Sequence, residues 1–372
     1  MSTDGLPEPD RIEGAAHPRE TAQLFGQAAA EQTFLAAVAA GRLHHGWLIT
    51  GPQGVGKATL AWRIARFLLA EQPGNGPFAA APSGLDVPGD HPVARRIAAL
   101  SEPRLHLVRR GANERGDALS ADIRLPVIRD LRQFLSMSAA EGGRRVVIVD
   151  AADELNTQAA NALLKLLEEP PRDTVLLLVS HQPSALLPTI RSRCRVLRLG
   201  ALGPADMAAA LAAAGQDDPD AAPALAALSG GSVGAALRLA RMDGLARYRA
   251  LIDTVATLPD LDRARALAFA DSVAGRGAGA QLDLVLWLID LFLSRLARAG
   301  VRGPPEREAA PGEAALLARL SPDAAAARRW AELHERLTAR GRHGREVNLD
   351  PAALVLDMVL SIDAAAAPAR TA

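Results

Sequence analysis

The sequence predicts an α/β domain over its first 200 residues and an all-α remainder. Three observations predict this. A glycine loop of phosphate-binding type sits between a strand-like run and a helix-like run at residues 47–70. Short apolar runs rich in valine, isoleucine and leucine alternate with amphipathic ones as far as residue 200. Beyond Gly200 no strand pattern recurs. Strand–helix alternation builds a parallel sheet covered by helices, whereas helical periodicity alone builds packed helices.

Residues 21–41 carry helical periodicity that stops at Gly41. WLIT at 47–50 is a strand and ATLAWRIARFLLA at 58–70 a helix. Residues 71–103 are rich in proline and glycine and predict a long irregular insertion. RLHLV at 104–108 is a strand. LPVIRDLRQFLSMSA at 125–139 is a helix with proline in its first turn, where the missing N–H is not needed. RRVVIVD at 144–150 has the continuous apolar character of a strand buried on both faces. Residues 155–171 form a helix halted by Pro170 and Pro171. TVLLLVS at 174–180 and RVLRL at 195–199 complete the strands. Residues 201–243 hold short helical pieces broken by DDPDAAP and SGGS. Long helical patterns follow at 245–298 and 313–365, separated by the proline-rich stretch 299–313. The chain therefore divides into an α/β domain (1–200), a small helical domain (201–244) and a larger helical domain (245–372). The closing AAAAPARTA is expected to fray.

Bulk properties exclude several function classes. The 42 basic residues balance 42 acidic ones, so no overall field draws in nucleic acid or a membrane surface. One cysteine, Cys194, excludes an internal disulfide and fits a reducing compartment. The polar, acidic N-terminus is not of secretory type. No run of about 18 apolar residues is available to span a membrane. A cytoplasmic protein without membrane partners is expected. Only Lys57 and Lys165 among the basic residues are lysine. Lys57 lies in the glycine loop, where a compact ammonium serves better than a planar fork.

That loop reads Gly51-Pro-Gln-Gly54-Val-Gly56-Lys57. Backbone N–H groups of such a loop cradle phosphates and the lysine reaches the terminal ones. Gly51, Gly54, Gly56 and Lys57, together with Thr59 and Asp150, are accordingly the candidate nucleotide-binding residues. The next position normally supplies a hydroxyl to Mg²⁺, but here it is Ala58, with Thr59 one step late. Asp150 ends the strand 144–150, as does the carboxylate that usually holds Mg²⁺ through water; it equally suits a strand that simply stops in aspartate. The glutamate that would polarise a water after it is replaced by Ala151, and Glu154 comes one turn later. Two separate motifs thus lack a catalytic group.

The strings LITGPQGVGKATLA, VVIVDAADELNTQAANALLKLLEEPP and LLVSHQPSALLPTIRSRC, with the triplet Ser192-Arg193-Cys194, resemble the clamp-loader branch of the AAA+ proteins. The resemblance covers most of residues 20–200 and extends weakly into the helical remainder. It implies a P-loop AAA+ parallel-sheet domain, a small helical lid and a C-terminal helical collar. It implies that Arg193 is a catalytic cation acting in trans, reaching the ATP of a neighbouring subunit; the alternative is a surface arginine beside Arg191, Arg195 and Arg198. Cys194 reads as a small apolar residue rather than a nucleophile.

Other positions implied by the resemblance are altered. In GGSVGAALRL (230–239) Gly234 stands near an expected sensor arginine, with Arg238 a turn later. Residues 71–103 contain no cysteine, and His91 alone cannot make a tetrahedral zinc site, so no zinc or other bound metal is expected. Arg124 and Arg129 flank the start of helix 125–139, the region that faces DNA in related loaders; they fit solvated arginines equally well. Trp287 lies in LDLVLWLIDLFL (282–293), apolar nearly all round and so expected to be buried.

By resemblance the chain is a non-hydrolysing clamp-loader subunit of DNA polymerase III, a DNA-directed DNA polymerase (nucleotidyltransferase) assembly. Its implied partners are gamma/tau-like and delta-like subunits, primer–template DNA, and the sliding clamp through the complex. ATP could enter a degenerate site, with Mg²⁺ only if nucleotide binds. Two other readings stand beside this one: an active AAA+ motor in which Thr59 or a water replaces the missing hydroxyl, and a nucleotide-binding scaffold outside replication.

Overall fold

The computed structural model describes residues 8, 11, 15–70, 82–113, 115–136, 143–216, 218, 220–275 and 278–367. The elements run α1 (Ala28–Ala39), β1 (Gly46–Thr50), α2 (Lys57–Leu69), α3 (Pro92–Ala98), β2 (Leu105–Val108), α4 (Leu125–Ser136), β3 (Arg145–Asp150), α5 (Thr157–Glu168), β4 (Thr174–Ser180), α6 (Pro188–Ser192) and β5 (Arg195–Arg198). They continue as helices α7 (Pro204–Ala213), α8 (Ala222–Ser229), α9 (Val233–Arg241), α10 (Gly244–Val255), α11 (Arg263–Asp271), α12 (Ala278–Arg302), α13 (Glu313–Leu320), α14 (Ala324–Glu346) and α15 (Pro351–Ala366). Two compact units result: Met1–Gly215 with Gly231–Ala235, and Gln216–Gly230 with Ala236–Ala372.

The first unit is a parallel sheet in the order β2-β3-β4-β1-β5. β1 and β4 are buried along their whole length, as central strands with helices on both faces must be. Leu48, Val147, Val149, Leu176 and Leu178 form one face with Ile128, Leu131 and Leu163 of α4 and α5. Trp47 of β1 packs its ring 5.0 Å from that of Phe34 on α1. Asn156 caps α5 by accepting from the Ala159 N–H at 2.9 Å, and Pro170 follows its end.

Two expectations are corrected here. Residues 21–27 are not helical, and α1 begins at Ala28. Three carbonyls at or just before the start of this segment, those of Arg19, Thr21 and Ala22, are bound from outside. Arg66 donates to the Arg19 and Thr21 carbonyls at 2.6 and 2.8 Å, and Arg63 donates to the Ala22 carbonyl. These guanidinium bonds hold the segment in a non-helical path against α2. The insertion 71–103 is not wholly irregular either: Pro92 opens α3 and the His91 ring nitrogen accepts from the Val93 N–H at 3.2 Å. Residues 71–81 of that insertion, and the tail 137–139 of the helix expected at 125–139, lie outside the described residues.

The second unit is entirely helical among its described residues. Val285, Leu288, Ile289, Phe292, Leu293 and Leu296 bury one side of α12. Trp287 is only half-buried, so the apolar character of this helix exceeds what its own unit covers. At the centre lies a carboxylate with no exposed surface, Glu313. Tyr248 donates to it at 2.6 Å and Arg295 grips both its oxygens at 2.6 and 3.1 Å. The Ala309 N–H adds a bond at 2.8 Å. Arg295 also donates to the Ala227 carbonyl at 3.0 Å. Burial and the adjacent carboxylate hold the Tyr248 phenol protonated far above its usual range. Among the described residues of the chain no helix is long and apolar enough to cross a membrane.

Removing Glu313 would strand a buried guanidinium and a phenol together. Glu313→Ala should destabilise the second unit by about 3–5 kcal/mol, read as a lowered urea midpoint in a near-ultraviolet unfolding curve. An unchanged midpoint would mean that water relieves Arg295.

Candidate functional site

The phosphate loop leaves β1 at the C-terminal edge of the sheet and enters α2, so the helix N-terminus faces the loop as a phosphate site requires. Gly54 and Gly56 adopt positive φ, 77° and 98°. Both are also crowded. A Cβ on Gly54 would meet the Ser232 Oγ at 2.3 Å, and one on Gly56 would meet Leu24 Cδ1 at 2.5 Å.

The carbonyl side of the loop is bound by the chain itself. Lys57 Nζ donates to the Gly51 and Pro52 carbonyls at 2.7 and 2.5 Å. Ser232 donates to the Gln53 carbonyl at 2.8 Å, and the Gly234 N–H to the Gly54 carbonyl at 3.0 Å. Four consecutive carbonyls are therefore satisfied from Lys57 and from the turn that opens α9, a turn belonging to the first unit. Ser232 Oγ also accepts from the Ala235 N–H at 3.1 Å and so caps α9. Gly234 itself contributes a main-chain donor and no side chain, while Arg238 is exposed.

Around Lys57 stand Asp150, Asp153 and His181. Burial pushes the Lys57 ammonium down to about 8, against the opposing pull of Asp150 and Asp153. Asp150 is buried at the end of β3. Asp153 accepts from the His181 and Gln182 N–H groups at 2.9 and 3.2 Å and so fastens the end of β4. His181 is held below its usual range by burial and then by the Lys57 charge, with Asp153 partly opposing. Sequence reasoning missed Asp153 and His181. Their signal was present: His181 directly follows a wholly buried strand, hence lies at the same sheet edge as the loop. It also missed Gln27, whose side-chain amide bonds both ways with Gly200 (2.9 and 3.2 Å) and donates to the Val55 carbonyl at 3.3 Å.

The oxygen set for a magnesium nucleotide is incomplete. Ala58 has no hydroxyl, and Thr59 stands about 100° further round the helix. Ala151 is buried where a water-polarising carboxylate would be needed. Glu154 is paired to Arg110 at 2.9 Å, and burial raises its carboxyl above the usual range.

Arg193 lies elsewhere. It ends the short helix α6 and precedes β5. β5 runs parallel to β1 with Trp47 opposite Arg195. Arg193 therefore sits at the N-terminal edge of the sheet, while the loop begins at Gly51 on the other. β1 spans five residues, about 16 Å at about 3.3 Å per residue, more than an arginine side chain covers. Burial pushes the neighbouring Cys194 thiol up to about 12, which fits an apolar role and not a nucleophile.

The family model for DNA polymerase III, delta subunit, matches residues 26–203. The DNA polymerase III subunit delta' of Escherichia coli is 32% identical over 294 residues, covering 78% of this chain and 81% of that protein. The chain belongs to the delta-prime family of DNA polymerase III subunits. The corresponding subunit of Pseudomonas aeruginosa is 42% identical over 196 residues (52% of this chain, 55% of that one), and that of Bacillus subtilis 32% over 214 residues (57% and 58%). Against these two relatives the match spans a little over half of their length.

Within this family member the remaining expected residues are placed as follows. Arg124 precedes α4 and reaches Asp122 at 3.4 Å, and Arg129 is exposed on α4 on the side away from Ile128 and Leu131. Asp130 beside Arg129 is exposed as well, so this face carries both signs. His91 serves as the cap of α3.

With two lysines in the whole chain, selective [¹⁵N]lysine labelling resolves Lys57. One Nζ signal should titrate with a midpoint near 8. The cost of holding this ammonium charged is full below that pH and is relieved as pH rises toward the unfolded value of about 10.4. A signal that stays unchanged from pH 7 to 9.5 would contradict the buried setting of the ammonium.

Proposed function

We propose that the chain is the non-hydrolysing member of a DNA polymerase III clamp loader, and that it lends Arg193 to the ATP held by an adjacent subunit. One observation carries this reading: the guanidinium and the chain's own phosphate loop occupy opposite edges of one parallel sheet. A cation so placed has no access to its own loop, but it is available to a protomer packed against that edge. Phosphoryl transfer spreads negative charge over the equatorial oxygens, and a planar, permanently charged guanidinium stabilises that charge.

The loop supports the same reading from the other side. Its carbonyls are bound by Lys57, Ser232 and Gly234, and its metal-binding hydroxyl is Ala58. The active-motor alternative needs Thr59, about 100° further round the helix, or a water to replace the missing hydroxyl, and nothing observed favours it. Nucleotide binding at Gly51, Gly54, Gly56 and Lys57 without turnover is compatible with this role, with Mg²⁺ entering only on a bound nucleotide. The proposed partners are gamma/tau-like and delta-like subunits, with primer–template DNA and the sliding clamp reached through the assembly. Arg124 and Arg129 are the proposed DNA-facing residues. Residues 201–244 are proposed as a lid, and 245–372 as the collar through which subunits associate.

Two measurements test this. The isolated chain should turn over ATP no faster than its Lys57→Ala variant. Brisk turnover that Lys57→Ala abolishes would return the motor reading. In the reconstituted ring, Arg193→Ala should assemble normally yet lower hydrolysis at the one site it serves by about 10³-fold or more, with clamp loading falling in step. An unchanged ring ATPase would remove the trans role.

A further inference from the structure

We propose that Glu168 is a positioning residue for Arg193: the last carboxylate of α5 holds the guanidinium in the orientation in which it meets the neighbouring subunit's nucleotide. This rests on the reading of Arg193 as a cation acting in trans.

The guanidinium is gripped by two elements. Glu168 Oε1 accepts from Nη2 at 2.8 Å. Nη1 donates to the Thr189 carbonyl at 3.1 Å and, more weakly, to the Ser192 hydroxyl at 3.4 Å, both in α6. Arginine carries five N–H donors. These bonds engage three, so two are left on a side chain that is 37% exposed. An arginine held only by its own helix would sweep through many rotamers; one also tied to a second helix is confined before any partner arrives. The other arginines of the stretch are not held this way. Arg195, for instance, lies over the Trp47 ring, 5.7 Å from its centroid.

The carboxylate is itself fixed. Pro170 and Pro171 prevent α5 from continuing, so the helix ends with Glu168 facing α6. Leu163, Leu166 and Leu167 of α5 share a core with Ile190 of α6. The His45 ring bonds the Leu167 carbonyl at 3.0 Å. Gly46 leaves room for the turn: a Cβ there would lie 3.0 Å from Leu167 Cδ2 and 3.3 Å from both the Arg193 carbonyl and the Cys194 Sγ. The helix that ends in LLEEPP and the triplet SRC, far apart in sequence, are thus joined by one ion pair. The pair is exposed, so it adds little to folding stability, and the positioning role can be tested without unfolding the chain.

The test uses the full chain in a reconstituted clamp loader, reading kcat and KM for ATP, with assembly followed by size-exclusion chromatography. Glu168→Ala should lower the kcat of the served site on the order of tenfold, with KM for ATP unchanged and assembly normal. Glu168→Gln, which keeps the shape without the charge, should lower it less, and Glu168→Asp should recover part of the loss. The double variant with Arg193→Ala should be no slower than Arg193→Ala alone. A wild-type kcat for both Glu168→Ala and Glu168→Gln, beside a depressed Arg193→Ala, overturns the positioning role and leaves the trans cation standing. A double variant slower than Arg193→Ala alone also overturns it, because Glu168 would then act by another route. A normal kcat for Arg193→Ala overturns both readings at once.

Discussion

The parallel register of β1 between β4 and β5 is the constraint from which the rest follows. Because all three strands run the same way, everything that leaves a strand gathers at one edge and everything that enters gathers at the other. The phosphate loop, Asp150 and His181 leave strands β1, β3 and β4. Arg193 enters β5. A reversed or shifted β5 would bring the guanidinium toward its own loop. The observed register places the loop and Arg193 at opposite edges of one sheet.

The loop shows how an incomplete half-site can still be well ordered. A glycine loop exposes main-chain carbonyls as well as N–H groups, and buried carbonyls demand partners. Here Lys57 and the Gly231–Ala235 turn supply four donors. Each such bond is worth about 1 kcal/mol net. Close approach sets the residue types: Ser232 Oγ leaves no room for a side chain on Gly54, and Gly234 approaches by its main chain. Gly234 contributes to the loop only a main-chain donor.

The departures from the sequence-based reading have separate physical causes. The helical periodicity at 21–27 is genuine, but the Ala22 and Thr21 carbonyls are bound by Arg63 and Arg66 of α2, partners about 40 residues away. Local propensity is a weak prior when a buried guanidinium competes for the same oxygens. In α3 the error ran the other way. The surrounding prolines and glycines masked a short helix whose own Pro92 is its first residue. Asp153 and His181 escaped notice because neither belongs to a spaced motif. They become neighbours of Lys57 only when β3 and β4 lie side by side.

The sequence by itself determined the class of fold, the five strands and the helices α2, α4 and α5 of the α/β half, and the identities of the loop glycines, Lys57, Asp150 and Arg193. Arg193 rests on the family resemblance; the other features rest on periodicity and on spacings of a few residues, which local sterics and hydrophobicity dictate. It also announced what was missing, since Ala58 and Ala151 are absences legible in the letters. Only the tertiary structure decided strand order, and with it that Lys57 and Arg193 face opposite edges. Only it revealed that Ser232 and Gly234 bind the loop, that Glu168 meets Arg193, and that Glu313 ties Tyr248 to Arg295. Each of these joins residues separated by 18 to about 180 positions, and no local rule links such residues until packing of the buried faces brings them within hydrogen-bonding distance.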